Sequence, residues 1–493
     1  MKLDKLISLL NPTEVLNGEN LSNIEVQDIS YNSKTTKAGD IFVCLVGEKT
    51  DGHKYAKMAQ DAGAVAILAE HKLDEINIPT LIIENTQHRI ADLAGILFDY
   101  PSRKLNLIGI TGTNGKTTVT HLIERIFEYN NKNCGLIGTL GYKLSYDDTY
   151  KDAKHTTPQA PELQRTFNTM LENKLENVAM EVSSHALAQN RVGATEFNCA
   201  VMTNLTQDHL DYHITMQNYF EAKAILFKNL KAGSVAVINN DDARAKDFIN
   251  ATADGVRILT YGIEKEADVK ASNVEISFKG ATFDCKTPVG NCKINLQMTG
   301  MFSVYNALAA LTTAIGQNLD FETTVKALEE TKGVAGRFEA ITSEPLTIVD
   351  YAHTPDGLEN VLTAARKILP ANGRLICIFG CGGDRDATKR PKMGAIAERL
   401  ADITIISSDN PRSEDPQQII TDILSGIKSL SPTKIMVEPD RELAIKLAAQ
   451  VAQKDDVVVV AGKGHEDYQI LKDKTIHLDD REEVRKNFTS LRV

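Results

Sequence analysis

The sequence predicts an α/β protein of several domains, and three observations carry that prediction. Short apolar runs alternate with amphipathic helical segments through most of the chain, the pattern of parallel sheets covered by helices. A glycine-rich stretch, Gly109-Ile110-Thr111-Gly112-Thr113-Asn114-Gly115-Lys116-Thr117-Thr118, sits between an apolar run (Leu105, Leu107, Ile108, Ile110) and a helical stripe (Val119, Leu122, Ile123, Ile126, Phe127). The length of 493 residues corresponds to about three domains.

The first unit reads as a small α/β domain. Strands are expected at Gly39 to Gly47, Ala64 to Ala69 and Thr80 to Ile83, with a helix from Tyr55 to Ala62 that stops at Gly63. The polar stretch Tyr100-Pro101-Ser102-Arg103-Lys104 reads as a linker. From Leu105 onward a mostly parallel sheet with helices on both faces is expected, with further strands at Val178 to Val182, Cys199 to Leu205 and Val235 to Asn239. Strand signals weaken over residues 256–298, and a helix from Ser303 to Gln317 is expected to close the unit. Val334 to Glu339 marks the next boundary. Beyond it, strands at Leu346 to Val349, Leu375 to Phe379, Ile403 to Ser407 and Val457 to Ala461 alternate with helices at Arg390 to Leu400 and Pro416 to Lys428, as in a Rossmann-like domain.

Composition narrows the classes of function. With 42% hydrophobic and 25% charged residues the chain is that of a soluble globular protein. Met1 to Leu10 lacks the apolar core of a signal peptide and no run is long enough for a membrane span, so a cytoplasmic protein is expected. The net charge of −11 argues against nucleic-acid binding through a general basic surface. The seven cysteines are scattered, without a C-x-x-C pair, and read as reduced thiols; Cys377 and Cys381 flank a glycine-rich turn and make a poor metal site.

The glycine-rich stretch has the order an anion site requires. Strand, turn and helix N-terminus follow directly, so free N–H groups and the positive end of the helix dipole converge on the turn. Lys116 is placed to reach outer phosphates and Thr117 to offer a hydroxyl to magnesium. The general phosphate-loop pattern asks for glycine where Ile110 stands, so the loop is a variant. Glu181, at a strand end, reads as a magnesium-holding carboxylate or a helix-start carboxylate. His209, beside Asp208 and Asp211, reads as a cation or substrate ligand or as part of a solvated loop.

With these clusters in place, the chain resembles the Mur ligase family, and within it the UDP-N-acetylmuramoyl-tripeptide synthetases, at nearly full length. The resemblance rests on Thr111 to Thr117, Glu181-Val182-Ser183-Ser184-His185, Asp208-His209-Leu210-Asp211-Tyr212-His213, Asn306, Gly336-Arg337, Asp350-Tyr351-Ala352-His353-Thr354-Pro355-Asp356, Gly383-Asp384-Arg385-Asp386 and Gly462-Lys463-Gly464-His465-Glu466. The variant loop is the usual form in this family. The resemblance implies three domains: a UDP-substrate-binding domain at 1–103, a central ATP-binding domain at 104–335 and a Rossmann-like amino-acid-binding domain at 336–493.

It also implies an activity. A carboxylate is a poor electrophile, so ATP first phosphorylates the substrate's terminal carboxylate, and the incoming amine then attacks the acyl phosphate. The expected reaction adds meso-diaminopimelate to UDP-N-acetylmuramoyl-L-alanyl-D-glutamate in cell-wall synthesis, with Mg²⁺ as cofactor, ATP as co-substrate and the chain as a monomer. Thr111, Gly112, Thr113, Asn114, Gly115, Lys116 and Thr117 would hold the ATP phosphates, and Asn306, Arg337 and Asp350 the adenine nucleotide. Lys116, Glu181, His209 and Lys223 would be catalytic, with Thr117, Glu181, His209 and a carbamylated Lys223 around the metal. Closure of the third domain would assemble the site. Ser33 matches a UDP contact, with Glu48, Lys49 and Thr50 on the neighbouring loop, where the family commonly has His-Gln. His155, Thr156, Thr157, Ser183, Gln189 and Arg191 match contacts to the sugar-peptide; His155 replaces an Asn found in some members, as Ser303 does.

Asp409, Asn410, Pro411 and Arg412 form the D-N-P-R motif that accompanies diaminopimelate in this family, whereas lysine-adding members lack the arginine. A guanidinium can bind the second carboxylate of diaminopimelate bidentately. Arg385, Gly462 and Glu466 match the remaining contacts, with Glu466 expected to accept from the distal ammonium. The rival readings are a lysine-adding ligase, a folylpolyglutamate synthetase and a noncatalytic nucleotide-binding regulator. Arg412 argues against the first, the UDP-type first domain against the second, and retention of Lys116, Glu181, His209 and Lys223 against the third.

Overall fold

The computed structural model describes residues 1–488 apart from 48–49, 147–149, 152, 154, 278 and 430. Three sheets organise it, of five, eleven and six strands in chain order. Among the described residues no helix is long and apolar enough to cross a membrane.

In the first sheet the strands run Glu14–Leu16, Thr80–Ile82, Ala66–Ala69, Asp40–Val43 and Asp28–Ser30, all parallel except the first. Leu3, Leu6 and Leu10 recur on one face of the helix Leu3–Leu10 and bury against Ile41, Val43 and Leu68 of this sheet. The stretch expected as a linker is instead a packed turn, Pro101–Lys104, with Pro101 and Ser102 buried. Ser102 accepts from Glu196 N–H at 3.2 Å, and Arg103 pairs with Glu196 at 2.7 Å. Polarity suggested exposure, but these groups are satisfied by the next sheet's loops. Arg165 adds a second tie, donating to Asp28 at 2.8 Å and to the Ile29 carbonyl at 2.6 Å.

In the central sheet the phosphate-loop strand Asn106–Thr111 lies between Asn177–Glu181 and Cys199–Met202, with all three parallel. Buried residues occupy nearly the whole of these strands, as expected where helices cover both faces. The helix Met301–Gly316 is apolar almost all round and packs Val304, Leu308 and Leu311 into the same core as Val119, Leu122 and Ile126. Two features differ from the sequence reading. Residues 256–298 give four strands, of which Val269–Ser277, Gly280–Thr287 and Gly290–Leu296 form an antiparallel extension of the sheet. Its alternating burial leaves one face to water, which diluted the apolar signal. A further helix, Phe321–Glu330, follows the expected end of the unit; Asp320 caps it through Thr323 N–H at 2.9 Å.

The chain crosses to the third sheet at residues 334–338, where Gly336 and Phe338 take φ of 65° and 47°. A Cβ on Gly336 would lie 2.1 Å from His465 N, so this crossing tolerates only glycine. The third sheet runs Glu339–Ser343, Leu346–Asp350, Val457–Ala461, Leu375–Phe379, Ile403–Ile406 and Ile435–Val437. Val457 and Val459 face the helices Pro355–Lys367, Lys389–Leu400 and Pro416–Leu424, whereas Val458 and Val460 face Arg441–Val451 and Asp480–Phe488. Six of the seven cysteines are buried and all are free thiols.

Candidate active site

The strand Asn106–Thr111 ends level with its neighbours, Ile110 opposite Glu181 and Thr111 opposite Met202. The turn after it opens at the carboxyl edge of the sheet, where such sheets take ligands. Gly112 and Gly115 have φ of 149° and 84°. A Cβ on Gly112 would lie 1.9 Å from Thr203 Oγ1, and one on Gly115 2.4 Å from Asn306 Oδ1. The turn is fastened from below: Asn114 N–H donates to Asn204 Oδ1 at 2.9 Å and Thr203 Oγ1 donates to the Asn114 carbonyl at 2.6 Å. The helix Lys116–Tyr129 starts without a side-chain cap, so its first N–H groups are left for an anion.

Two lysines meet on this turn. Lys116 Nζ donates to the carbonyls of Gly112 and Thr113 at 2.9 and 2.8 Å, and Lys223 Nζ donates to the same Gly112 oxygen at 2.8 Å. Lys223 is 1% exposed, carried by the helix Met216–Lys228. Burial and then repulsion from Lys116 hold its pKa well below the usual lysine range, against the pull of Asp208. Burial also lowers Lys116, with Glu181 and Asp208 opposing and Arg337 adding repulsion. Burial and repulsion from Lys116 both disfavour the charged form of Lys223.

Glu181 is buried and accepts from Thr139 N–H at 2.8 Å and from Thr117 Oγ1 at 3.1 Å. Thr117 Oγ1 in turn accepts from Arg337 Nη2 at 3.0 Å, so one hydroxyl joins the central sheet to the third. Arg337 stacks its guanidinium 4.7 Å from the Tyr351 ring. Its Nε and Thr111 Oγ1 are buried without a hydrogen-bond partner among the described residues, which a polar ligand would supply. His209, with φ of 52°, stands 3.3 Å from Asp208; burial lowers its pKa and Asp208 opposes. Asp350 lies at the end of the strand Leu346–Asp350, beside the crossing. Its carboxylate accepts from Phe338 N–H at 2.7 Å and Ala352 N–H at 2.8 Å, which fixes the crossing next to Arg337.

The residues matched to the sugar-peptide form one network. Thr157 Oγ1 donates to the Glu181 carbonyl at 2.8 Å and accepts from Ser183 N–H at 3.0 Å. Arg191 donates to the Thr157 carbonyl at 3.0 Å and to Gln189 Oε1 at 2.7 Å, and Thr156 Oγ1 lies 3.1 Å from Thr139 Oγ1. The His155 carbonyl accepts from Tyr142 at 2.7 Å. Ser33 lies half-buried in a turn of the first unit, and Thr50 is exposed on the loop before Asp51. Glu48 and Lys49 lie outside the described residues. His53, unnoticed in the sequence, clamps that loop, its Nδ1 2.6 Å from Asp51 and its Nε2 accepting from Glu70 N–H at 2.9 Å.

The residues matched to the amino acid gather on loops of the third sheet. Arg412 is half-buried with φ of 53° and donates to the Gly383 carbonyl at 2.9 Å. Arg385 is exposed and donates to the Asp384 carbonyl at 3.3 Å. Asn410 Nδ2 donates to Glu466 Oε2 at 2.8 Å, and Lys463 Nζ reaches the same oxygen at 3.0 Å. Glu466 therefore already has an ammonium partner in Lys463, which the sequence did not show. Asp409 is buried, and a Cβ on Gly462 would lie 2.9 Å from its carboxylate, so this glycine keeps the two loops close. Pro411, Arg412, Leu471 and Lys472 line a cleft of about 400 Å³ beside them.

Asp356 is the residue that sequence reasoning most clearly left without a role. Its Oδ2 accepts from Asn114 Nδ2 at 2.8 Å and from Thr206 Oγ1 at 3.0 Å, a second bridge from the third sheet to the phosphate loop. Its place in the first turn of a proline-started helix, Pro355–Lys367, was the available signal.

Comparison with known proteins matches three family models: the Mur ligase family catalytic domain over residues 25–95, the Mur ligase middle domain over 110–314 and the Mur ligase glutamate ligase domain over 336–464. The chain is 45% identical over 489 residues to the UDP-N-acetylmuramoyl-L-alanyl-D-glutamate–2,6-diaminopimelate ligase of Listeria monocytogenes, covering 98% of each. The ligase of the same name from Bacillus velezensis is 45% identical over 491 residues, again with 98% of each chain covered. A solved structure of a ligase with that name superimposes with a TM-score of 0.70 at 33% identity, covering 100% of this chain and 99% of the other.

Proposed function

Since this chain belongs to the Mur ligase family, we propose that it is the ATP-dependent ligase that joins meso-diaminopimelate to UDP-N-acetylmuramoyl-L-alanyl-D-glutamate. The observation that carries the reading is the Thr117 hydroxyl, which touches Glu181 on one side and Arg337 on the other. It stands at the helix N-terminus where ATP phosphates bind, and Glu181 belongs to the Thr157, Ser183 and Arg191 network that receives the acyl substrate. The terminal phosphate and the carboxylate it activates therefore meet at one point.

The chemistry follows from charge. The carboxylate attacks the γ-phosphoryl group to give an acyl phosphate and ADP; the amine of diaminopimelate then attacks the carbonyl, and phosphate leaves with the amide formed. Both steps concentrate negative charge, and Lys116, Arg337 and the free N–H groups after Gly115 are positioned to offset it. Asn306, Arg337 and Asp350 contact the adenine nucleotide, and Asp350 also holds the crossing through the Phe338 and Ala352 N–H groups. The donor set fits magnesium: Thr117 and Glu181 offer hard oxygens, with His209 and Lys223 as further ligands. When bound, it neutralises the transferring phosphoryl group.

Lys223 serves as its carbamate. The neutral amine adds to carbon dioxide and loses one proton to solvent, and the carbamate anion formed replaces Lys116's repulsion with attraction. At the other substrate's site, Arg412 and Arg385 bind the distal carboxylate, Asn410 and Gly462 lie along the chain of the amino acid, and Glu466 accepts from the distal ammonium alongside Lys463. Ser33 and the Thr50 loop take the uridine nucleotide. We assign the domains to 1–103, 104–335 and 336–493, and the protein to the cytoplasm as a monomer.

The test is phosphate release with ATP, magnesium and UDP-N-acetylmuramoyl-dipeptide, comparing meso-diaminopimelate with L-lysine. Release that depends on diaminopimelate supports the whole reading. Release with lysine alone keeps the ligase and removes the role of Arg412; release with neither overturns the reading.

A further inference from the structure

The two arginines assigned to the distal carboxylate stand on separate loops, and the structure joins those loops reciprocally. Asp384, in the loop of Arg385, accepts from Ser413 Oγ at 2.7 Å and from Ser413 N–H at 3.2 Å, in the loop of Arg412. In the other direction Glu414 accepts from Asp384 N–H. Arg412 itself reaches the Gly383 carbonyl at 2.9 Å. Beneath both loops lies Arg390, 2% exposed, which donates to Glu414 at 2.9 Å, to Asp422 at 2.8 Å and to the Gly382 carbonyl at 3.3 Å. Asp384 and Arg412 both adopt left-handed φ, 54° and 53°, without being glycine. Such backbone persists only where the surroundings over-determine it.

We propose that Asp384 and Glu414 are positioning residues for amino-acid selection, fixing the separation at which Arg385 and Arg412 present their guanidiniums. The inference rests on the reading of those arginines given above. Two cations held close repel one another, and a third charge between them lowers that cost. Asp384 supplies it: its carboxyl is held below the usual carboxylate range by Ser413 first, and then by Arg412 and Arg385. A ligand with a carboxylate at its far end gains from both arginines only if their spacing is set beforehand. A ligand ending in an ammonium gains nothing from that geometry, so the joined loops select by charge.

The test is steady-state kinetics of the full chain with ATP, UDP-N-acetylmuramoyl-dipeptide and meso-diaminopimelate. Asp384→Ala should raise KM for diaminopimelate about tenfold, with kcat and KM for ATP changed less than about twofold. Ser413→Ala, a smaller change on an exposed loop, should raise the same KM about threefold and keeps the test informative if Asp384→Ala folds poorly. In an Arg412→Ala background Asp384→Ala should add less than about twofold, because the geometry it maintains is already useless. Unchanged KM for diaminopimelate in both variants, or equal effects with and without Arg412, overturns the inference. Wild-type phosphate release indifferent to diaminopimelate would instead overturn the underlying reading, and this inference with it.

Discussion

The phosphate loop and the amino-acid loops solve the same problem, holding cations ready for an anion, by opposite means. At the first, the tight backbone positions are glycines, Gly112 and Gly115, and two lysines, Lys116 half-buried and Lys223 buried, are turned onto loop carbonyls. At the second, left-handed backbone falls on Asp384 and Arg412, and the cations are exposed or half-buried. Glycine adopts positive φ freely, whereas each such non-glycine residue costs about 1–3 kcal/mol. The phosphate loop is thus a glycine turn pinned at a sheet edge by the side chains of Thr203 and Asn204. Selection is built on surface loops that depend on side-chain bonds for their shape.

That contrast can be broken or sharpened by substitution. The largest effect should come from Lys116→Ala, which removes the charge facing the transferred phosphoryl group and should lower phosphate release about 10³-fold whatever amino acid is supplied. Turnover near the wild-type rate would refute the role of the loop. Next, Lys223→Ala should cost about 10²-fold. Added acetate or another small carboxylate should restore part of the loss if a carbamate acts there, and mass spectrometry in bicarbonate should find one carbon dioxide on the wild-type chain. No rescue and no adduct would leave Lys223 a buried amine only. Arg412→Ala should weaken use of diaminopimelate by about 2 kcal/mol, or roughly thirtyfold, at the lower end for a charge pair because the guanidinium is only half-buried. An unmoved KM would remove the contact. The smallest effect is expected from Asp356→Ala, which loses two bridging hydrogen bonds and should raise KM for ATP about fivefold while leaving KM for diaminopimelate in place; a change in the latter alone would show that the two regions are not separable.

Much of the first region was legible in the sequence. The loop between Ile110 and Lys116 announces its strand, turn and helix by spacing alone, and Glu181 by its place at a strand end. The second region was legible only through the resemblance: Arg412 in Asn410-Pro411-Arg412 looks like any turn charge. What sequence could not give was long-range pairing. Asn410 on Glu466, Arg390 on Glu414 and Asp422, and Asp356 on Asn114 all join residues whose proximity is set by the order of the sheets and their loops, not by local pattern. The antiparallel extension at 269–296 was faint for a different reason, since half of its side chains face water.

The packed turn at Pro101–Lys104 has a counterpart in the crossing at residues 334–338, and the two joints are unlike. The first unit is tied to the central sheet by Arg165, Ser102 and Arg103, whereas the third touches the phosphate loop through polar contacts at Thr117, Asn114 and Thr206 and packs its core on Ile276 and Phe302 beside it. The proposed reaction places the nucleotide-sugar at the first joint and the amino acid at the second, so that closing the second would bring the amine to the activated acyl group as water is shut out.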